Sequence, residues 1–271
     1  MISLADGVVL PETAAGARPP FQPLAELPLT ILVGVTGVGK STALRALQAA
    51  GCPFTLLPDR RVVADRAIIA ALQRQDGQAV RPITDRRRRF EYTARYRRLH
   101  PGGMAHALAR LWVDPGKVRR PLVFDGLRGL DEVRHALGAF PRSRFIVLDA
   151  PDLVRVRRLL KRADGFDATD LAASTASRSL VDALREIPGI DAVFDLQEIR
   201  AIAGLVNAGP AGISADDVAK KVAIVVAERR NYDPQAAKSY LARALPPDRC
   251  LVIDTGAHPP QSVAEQIAAW L

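Results

Sequence analysis

Apolar residues are concentrated in five short runs, which predict five buried strands. The runs contain β-branched and aromatic residues and most are followed by polar or glycine-containing turns, a pattern typical of strands covered on both faces. The runs are Leu29–Val33, Phe54–Leu57, Pro121–Gly126, Arg144–Pro151 and Cys250–Gly256. Some of these ranges include the first residues of the turn that follows the strand.

Segments with helical spacing separate these runs. They are Thr42–Ala50, 62–75, Arg81–Leu99, Met104–Trp112, a helix after Pro151 and Ser262–Leu271. In the third segment Thr84 or Asp85 can act as the N-cap, and we expect Tyr92, Tyr96 and Leu99 on one face. The alternation of strands and helices predicts an α/β fold with a five-stranded parallel sheet.

Two segments depart from this alternation. Residues 1–28 contain several prolines and little periodicity, which predicts an irregular arm. Residues 165–248 predict a largely helical insertion, with Ser214 capping one helix. Its predicted helices include Ala172–Glu186, Ala192–Val206 and Asp216–Arg230. The expected layout is an arm, a core over 29–164, the insertion, and a closing strand and helix over 249–271.

The composition is that of an ordinary globular protein. The 271 residues are 48% hydrophobic and 25% charged. No run approaches the roughly 18 apolar residues of a membrane span, and no signal peptide is recognised, so we expect a cytoplasmic protein without membrane contact. Cys52 and Cys250 are expected to be core residues in a reducing compartment.

The net charge is strongly positive. It is +9, with a pI of about 10.1, and arginine carries most of the excess. Such a charge favours polyanionic partners, which can be nucleotides or nucleic acid.

One motif after the first strand predicts phosphate binding. Gly34, any four residues, then Gly39-Lys40-Ser41 match the phosphate-loop pattern between a strand and a helix. The glycines let backbone amides face an anion, Lys40 can reach the β- and γ-phosphates, and the Ser41 hydroxyl can bind magnesium. The predicted cofactor-binding residues are Gly34, Val35, Thr36, Gly37, Val38, Gly39, Lys40, Ser41 and Thr42.

An acid ends the third apolar strand. Asp125 follows Leu122-Val123-Phe124, the form of a Walker B element, and is expected beside the phosphate loop. There it can hold magnesium through water or accept a proton from an acceptor. Arg128 follows closely enough to reach the same cleft.

Further charged residues have two interpretations each. Asp59 and Arg60 follow the second strand and can contact a substrate or belong to a solvated turn. Arg155, Arg158 and Arg162 share one helix face and can stabilise a transferring phosphoryl group or be solvated. Eight arginines lie in Arg81–Leu99, which can grip an acceptor phosphate or nucleic acid, although a solvated helix is favoured for most of them.

The combined pattern resembles the P-loop kinases, especially the nucleotide-kinase branch that includes adenylate kinase and dephospho-coenzyme A kinase. About half of the chain is covered, and within it Val123 to Arg162 is most similar to archaeal adenylate-kinase-related proteins. The residues that carry the resemblance are Gly34–Ser41, Phe124–Arg128, Asp131–Val133, Ile146–Arg162 and Val252–Thr255.

The resemblance implies ATP, Mg2+, an acceptor site between the second and third strands and a lid. On this analogy 59–112 binds the acceptor and Arg155 to Arg162 begin the lid, although some eighty residues here replace the usual short lid. The expected activity is phosphoryl transfer from ATP to a nucleotide or similar small acceptor, with Lys40, Asp125, Arg158 and Arg162 catalytic and Asp59, Arg60 and Arg128 facing the acceptor. The chain has no guanine-reading Asn-Lys-x-Asp string, which favours ATP.

Two alternatives remain open. One is a kinase directed at nucleic acid through Arg81 to Arg98, for which steep salt dependence of binding would be diagnostic. The other is a nucleotide-dependent ATPase switch whose insertion docks a partner protein, for which hydrolysis without acceptor phosphorylation would be diagnostic.

Overall fold

The computed structural model describes residues 1–12, 16–161, 179–208 and 213–271. The described residues form two sheets. Their strands are β1 (Ile2–Ala5), β2 (Val8–Leu10), β3 (Gln22–Pro23), β4 (Leu29–Val33), β5 (Thr55–Leu56), β6 (Trp112–Val113), β7 (Leu122–Leu127), β8 (Ser143–Asp149) and β9 (Cys250–Asp254).

Helices cover the larger sheet and form most of the segment before β9. They are α1 (Lys40–Ala49), α2 (Arg60–Val63), α3 (Ala70–Gln75), α4 (Arg86–Leu99), α5 (Gly103–Ala109), α6 (Leu130–Ala139), α7 (Asp152–Leu160), α8 (Leu180–Arg185), α9 (Leu196–Ala203), α10 (Leu205–Ala208), α11 (Ala215–Tyr232), α12 (Pro234–Ala244) and α13 (Pro260–Trp270). A π-helical stretch, Ala64–Ile69, joins α2 to α3. Within the described ranges, no helix has the length and apolar character needed to cross a bilayer.

The larger sheet confirms the predicted α/β class. Its five strands are all parallel, in the order β5-β7-β4-β8-β9. Side chains alternate along β4: Ile31 packs into an apolar cluster with the helices between β5 and β8, and Leu32 packs into a second cluster with α1 and α13. Both faces of the sheet are therefore buried, which explains why its strands read as continuous apolar runs.

The order of the strands makes β4 and β7 a switch point. The connection after β4 runs towards the β5 edge, whereas the connection after β7 crosses to β8 on the other side. The two loops therefore diverge and leave a crevice at the carboxyl ends of these strands, where ligands of open α/β sheets bind.

The segment 1–28 is not an irregular arm, contrary to the prediction. Strands β1, β2 and β3 form an antiparallel sheet with β6, in which Val9 pairs with Trp112. Trp112 was predicted at the end of a helix, but α5 ends at Ala109. Strands of two to four residues carry too few positions for alternation to be visible, so pairing between distant segments decides their structure.

The helices follow the predicted pattern with shifted ends. Asp85 caps α4 by accepting a hydrogen bond from the Arg88 amide at 2.7 Å. Tyr96 on this helix is buried, as its spacing predicts, but Leu99 is 52% exposed because it is the last residue of the helix.

The segment between α7 and β9 is helical where it is described. Helices α8 to α11 pack against α7 around their own apolar cluster, which includes Phe194 and Val222. Ser214 caps α11 in a reciprocal arrangement with Asp217, as the sequence predicts. The first predicted helix, Ala172–Glu186, begins outside the described residues, and the second begins at Leu196 rather than Ala192.

Candidate functional site

The loop after β4 turns tightly around its glycines. Gly37 and Gly39 have φ values of 88° and 95°, which residues with side chains rarely adopt. Gly39 is the N-cap residue of α1 and offers no side chain to the first amides of that helix. These amides and the helix dipole are therefore available to an anion.

Lys40 lies folded against the loop that precedes it. Its Nζ donates to the carbonyl oxygens of Gly34 at 2.7 Å and Val35 at 3.3 Å, and it lies 3.7 Å from Oδ1 of Asp125. Burial lowers the pKa of Lys40, and the charge of Asp125 opposes this shift. The loop therefore holds a buried cation beside an acid.

A cleft of about 700 Å³ lies over the loop and reaches from α2 to α13. Eight of its side chains are lysines or arginines and three are acids, so its electrostatic character suits an anionic ligand. It is lined by Thr36, Gly37, Gly39, Lys40, Ser41, Thr42, Ala43, Arg45, Asp59, Arg60, Arg61, Arg89, Asp125, Gly126, Arg128, Arg158, Lys161, Ile224, Glu228, Thr255, His258, Pro260 and Val263.

Most of the residues predicted from sequence come together at this cleft. Those that line it are Thr36, Gly37, Gly39, Lys40, Ser41, Thr42, Asp59, Arg60, Asp125, Arg128 and Arg158. Val35 and Val38 instead pack beneath the loop in the apolar core, and the amide of Gly34 donates to the carbonyl of Leu127. Arg162 lies outside the described residues.

The sequence did not point to Glu228, which the structure places against the phosphate loop. Oε2 accepts from the Thr36 amide at 2.9 Å and Oε1 from the Thr36 hydroxyl at 2.5 Å. Arg128 and Arg155 each donate to the carboxylate at 2.6 Å. Burial raises the pKa of Glu228, but these arginines and Thr36 outweigh it, so the pKa is below its ordinary value.

Arg155 joins three elements rather than facing the cleft. Its side chain is 1% exposed and donates to the carbonyl of Thr36, to Asp152 and to Glu228. Asp152 also accepts from Arg229 of α11. Arg155 therefore ties the loop to α7 and α11, which its grouping with Arg158 and Arg162 in the sequence did not indicate.

Arg60, where α2 borders the cleft, is engaged by a buried acid. It donates to both carboxylate oxygens of Glu132, at 2.6 and 3.0 Å, and to the carbonyl of Gly126. Burial opposes its charged form, yet the attraction of Glu132 leaves the pKa of Arg60 raised. The Glu132 carboxylate also accepts from the amide of Arg128, so one buried acid orients both arginines.

Tyr232, the last residue of α11, lies among arginines. The guanidinium carbons of Arg60, Arg97 and Arg128 are 5.5 to 5.6 Å from the centre of its ring. This distance is within the range of cation–π attraction. The end of α11 therefore packs against Arg60 and Arg128, which line the cleft.

Arg158 lies on the opposite side of the loop. It donates to the carbonyl and hydroxyl oxygens of Thr255, at 2.6 and 2.9 Å, and to the carbonyl of Gly37 at 3.3 Å. These contacts bring the turn after β9 against the phosphate loop.

Three further charged residues from the sequence analysis have defined partners. Asp59 caps α2 by accepting from the amides of Arg61 and Val62. On α4, Arg89 lines the cleft and pairs with Asp65, and Arg95 pairs with Asp76. Part of the arginine-rich helix is therefore committed to ion pairs within the chain.

Asp125 and Ser41 offer the oxygens that a hard cation requires. Oδ1 of Asp125 is buried and has no hydrogen-bond partner among the described residues, and Ser41 is exposed in the first turn of α1. An unsatisfied buried carboxylate oxygen is costly, and a cation or its bound water would satisfy it. These donors fit Mg2+, which needs few protein ligands when phosphate oxygens complete its shell.

Comparison with known proteins finds solved structures that are similar to this chain, but no match by sequence. No protein-family model matches the sequence, and no curated protein is significantly similar to it. The TT1252 protein of Thermus thermophilus is 19% identical, with 90% of this chain and 95% of that one covered and a TM-score of 0.43.

Two kinases are also among the similar structures. Shikimate kinase from Acinetobacter baumannii, solved with shikimate, is 17% identical, with 89% of this chain and 90% of that one covered and a TM-score of 0.35. A sugar kinase from Janibacter sp. HTCC2649 is 15% identical, with 90% and 93% covered and a TM-score of 0.32. Evidence for a function therefore comes from the cleft itself.

Proposed function

We propose that this protein is an ATP- and Mg2+-dependent kinase that transfers a phosphoryl group to a nucleotide or similar small acceptor. The observation that carries the proposal is the buried pair of Lys40 and Asp125, 3.7 Å apart, between an anion-binding loop and an open cleft. A cation and a carboxylate beside a glycine-rich loop at the start of a helix are the groups that phosphoryl transfer uses.

Lys40 has the position to stabilise charge as it develops. The ammonium contacts loop carbonyls that it can exchange for phosphate oxygens without leaving the loop. Gly39 and the first turn of α1 supply amides for the phosphates nearer the nucleoside. Arg158 already donates to the carbonyl of Gly37 in the same loop. It is the second cation proposed to stabilise the transferring phosphoryl group.

Asp125 and Ser41 are the residues that would hold Mg2+. The metal would neutralise negative charge on the phosphates of the donor. Asp125 has a second possible role, because a carboxylate at this position can accept the proton of an acceptor hydroxyl.

The acceptor is proposed to lie between α2 and β7. Asp59, Arg60 and Arg128 line this part of the cleft, together with Arg61 and Arg89. Arginine forms bidentate contacts with phosphates and carboxylates, and Asp59 can accept hydrogen bonds from hydroxyl groups. This lining favours an acceptor that carries both hydroxyl and anionic groups.

The test is a screen of acceptors with γ-labelled ATP and Mg2+. We expect one class of nucleosides, nucleotides or small phosphorylated compounds to become labelled by the wild-type protein, and Lys40→Met to lower the rate of that labelling by about 100-fold or more. Labelling that is equal in the two proteins would contradict the proposal, as would the absence of any heat of binding for Mg-ATP and Mg-GTP.

A nucleic-acid acceptor is the second candidate, and one observation favours it. Arg89 belongs to the arginine-rich helix α4 and also lines the cleft, so a chain of phosphates that enters the cleft could continue along that helix. Transfer of label to oligonucleotide ends, with affinity that falls steeply as salt is raised, would support this candidate over a small acceptor.

A further inference from the structure

Glu228 occupies donors that a phosphate would use. Its four partners are a backbone amide and a hydroxyl of the phosphate loop, and two guanidinium groups. Neutral amides, a hydroxyl and arginines are the usual ligands of a bound phosphoryl group. A carboxylate of the protein therefore stands where an anion of the ligand is expected.

The position along the loop indicates which phosphate is concerned. Thr36 lies on the strand side of the loop, away from the first turn of α1, where the amides suit the phosphates nearer the nucleoside. Lys40, which reaches between the β- and γ-phosphates in such loops, is close enough for the charge of Glu228 to influence its pKa. The occupied donors thus belong to the terminal phosphate.

The two arginines differ in how firmly they are held. Arg155 has further bonds to Asp152 and to the carbonyl of Thr36 and is 1% exposed, so it stays in place without Glu228. Arg128 lines the cleft, its side chain is 28% exposed, and Glu228 is its ion-pair partner. Departure of Glu228 would free Arg128, the Thr36 amide and the Thr36 hydroxyl together.

We propose that Glu228 is an internal occupant of the terminal-phosphate subsite and sets the preference between nucleoside triphosphate and diphosphate. The proposal rests on the function proposed above. A triphosphate displaces the carboxylate and takes over its donors, whereas a diphosphate binds with Glu228 in place. Because Glu228 belongs to α11, the displacement also removes the direct bonds between that helix and the loop and leaves the indirect link through Arg155 and Asp152.

The test compares Mg-ATP and Mg-ADP binding by calorimetry in wild type and Glu228→Gln, which keeps the shape of the side chain and removes its charge. We expect the variant to bind Mg-ATP about tenfold more tightly, a coupling within the usual range, with little change for Mg-ADP. The control is Asp152→Asn, which removes another acid bound to Arg155 but does not touch the loop. It should change the two affinities equally.

Hydrogen exchange on the wild-type protein gives a second measurement that needs no variant. Amides of α11 near Glu228 should exchange faster with Mg-ATP than with Mg-ADP. An unchanged or weakened affinity of Glu228→Gln for Mg-ATP relative to Mg-ADP, or slower exchange in α11 with Mg-ATP, would overturn the proposal while leaving the kinase function intact. Absence of binding of either nucleotide to wild type would instead overturn the proposed function, and this proposal with it.

Discussion

The ammonium group of Lys40 lies 3.7 Å from Oδ1 of Asp125, an oxygen that has no hydrogen-bond partner in the described part of the chain. The side chains of both residues are largely buried. A cation and an unsatisfied acceptor thus meet where the loop after β4 faces the end of β7. In the function proposed above, Lys40 would meet the phosphate and Asp125 the metal.

Replacing Lys40 by Met should lower the rate of phosphoryl transfer, measured with γ-labelled ATP, by about 100-fold to 1,000-fold. The reason is that the lost ammonium charge acts where negative charge develops on the transferring group. Far-ultraviolet circular dichroism should show an unchanged fold. Lys117→Met is the matched control, since Lys117 forms an exposed ion pair with Asp6 away from the cleft. Equal losses in the two variants would disprove the role of Lys40.

Replacing Asp125 by Asn should raise the Mg2+ concentration needed for half-maximal activity by about tenfold or more, as expected when an oxygen that holds a metal or its water is altered. Titration of activity with Mg2+ measures this. Asp131→Asn is the control, because Asp131 lies six positions after Asp125 but its side chain is 74% exposed. Its carboxylate is 4.0 Å from the guanidinium of Arg134. If the Mg2+ requirement of Asp125→Asn matches that of the control, Asp125 does not serve the metal.

Replacing Arg155 by Met should lower the free energy of unfolding by about 3 kcal/mol, because it removes a buried partner from two acids. Asp152 and Glu228 would each lose one charged hydrogen bond. Urea denaturation monitored by tryptophan fluorescence gives the value. Arg157→Met, at an exposed position of the same helix, should change it by less than about 0.5 kcal/mol. Similar values for both variants would show that Arg155 is not a structural link.

Replacing Gly129 by Ala should destabilise the protein by about 1 to 3 kcal/mol through overpacking. A Cβ atom there would lie 2.4 Å from the carbonyl oxygen of Tyr232, at the end of α11. Gly138→Ala is the control, because beyond the adjacent backbone of its own helix a Cβ atom there would meet no described atom within 4 Å. Thermal unfolding should show a lower midpoint for the first variant and an equal or higher midpoint for the second; the reverse order would contradict the close packing of α11.

Stability should decline as the pH falls from about 6.5 towards 4 because of a histidine cluster. His106 stacks on His100 at 4.1 Å, contacts His135 and lies 2.8 Å from the hydroxyl of Tyr96. Burial, then the charges of His100, His135 and Arg110, lower the pKa of His106 from 6.5 to about 4. The folded state thus binds the proton less readily than the unfolded state, so its stability is complete above the ordinary pKa and declines below it.

The measurement for this cluster is the urea midpoint at pH 7.5 and pH 5. His106→Gln should lose less stability between these values than wild type. His258→Gln, at an exposed position, should behave like wild type. If His106→Gln loses as much stability between the two pH values as wild type does, the pH dependence belongs to other groups.

The sequence predicted the central sheet because its three inner strands, β4, β7 and β8, are buried on both faces and therefore leave continuous apolar runs. Ile31 and Leu32 pack on opposite faces of the sheet, and both are apolar. The phosphate loop was recognisable because its glycines and Lys40 are fixed in spacing by the turn itself. Asp85 and Ser214 were recognisable as caps because a cap depends only on neighbouring residues.

The rest depends on contacts between distant segments. Glu228 lies 192 positions from Thr36 along the chain. The one feature that marks Glu228 in the sequence is that this acid directly follows the apolar run 222–227. The buried state of Arg155 likewise depends on packing against α11, so that spacing along α7 could not separate it from Arg158. Of the short strands in 1–28, β2 and β3 pair with β6, about one hundred residues later, and β1 pairs with β2.

The placement of Glu228 has a consequence for shortening the chain. Deletion of the segment between α7 and β9 would withdraw α11 and leave Arg128 without its ion-pair partner and Arg155 with Asp152 alone. It would also strip the apolar face of α7 that holds Val156 and Leu159. A trimmed version reduced to the sheet and its covering helices would thus not be a minimal catalyst. The segment is a structural component of the cleft and has to be retained in any smaller design.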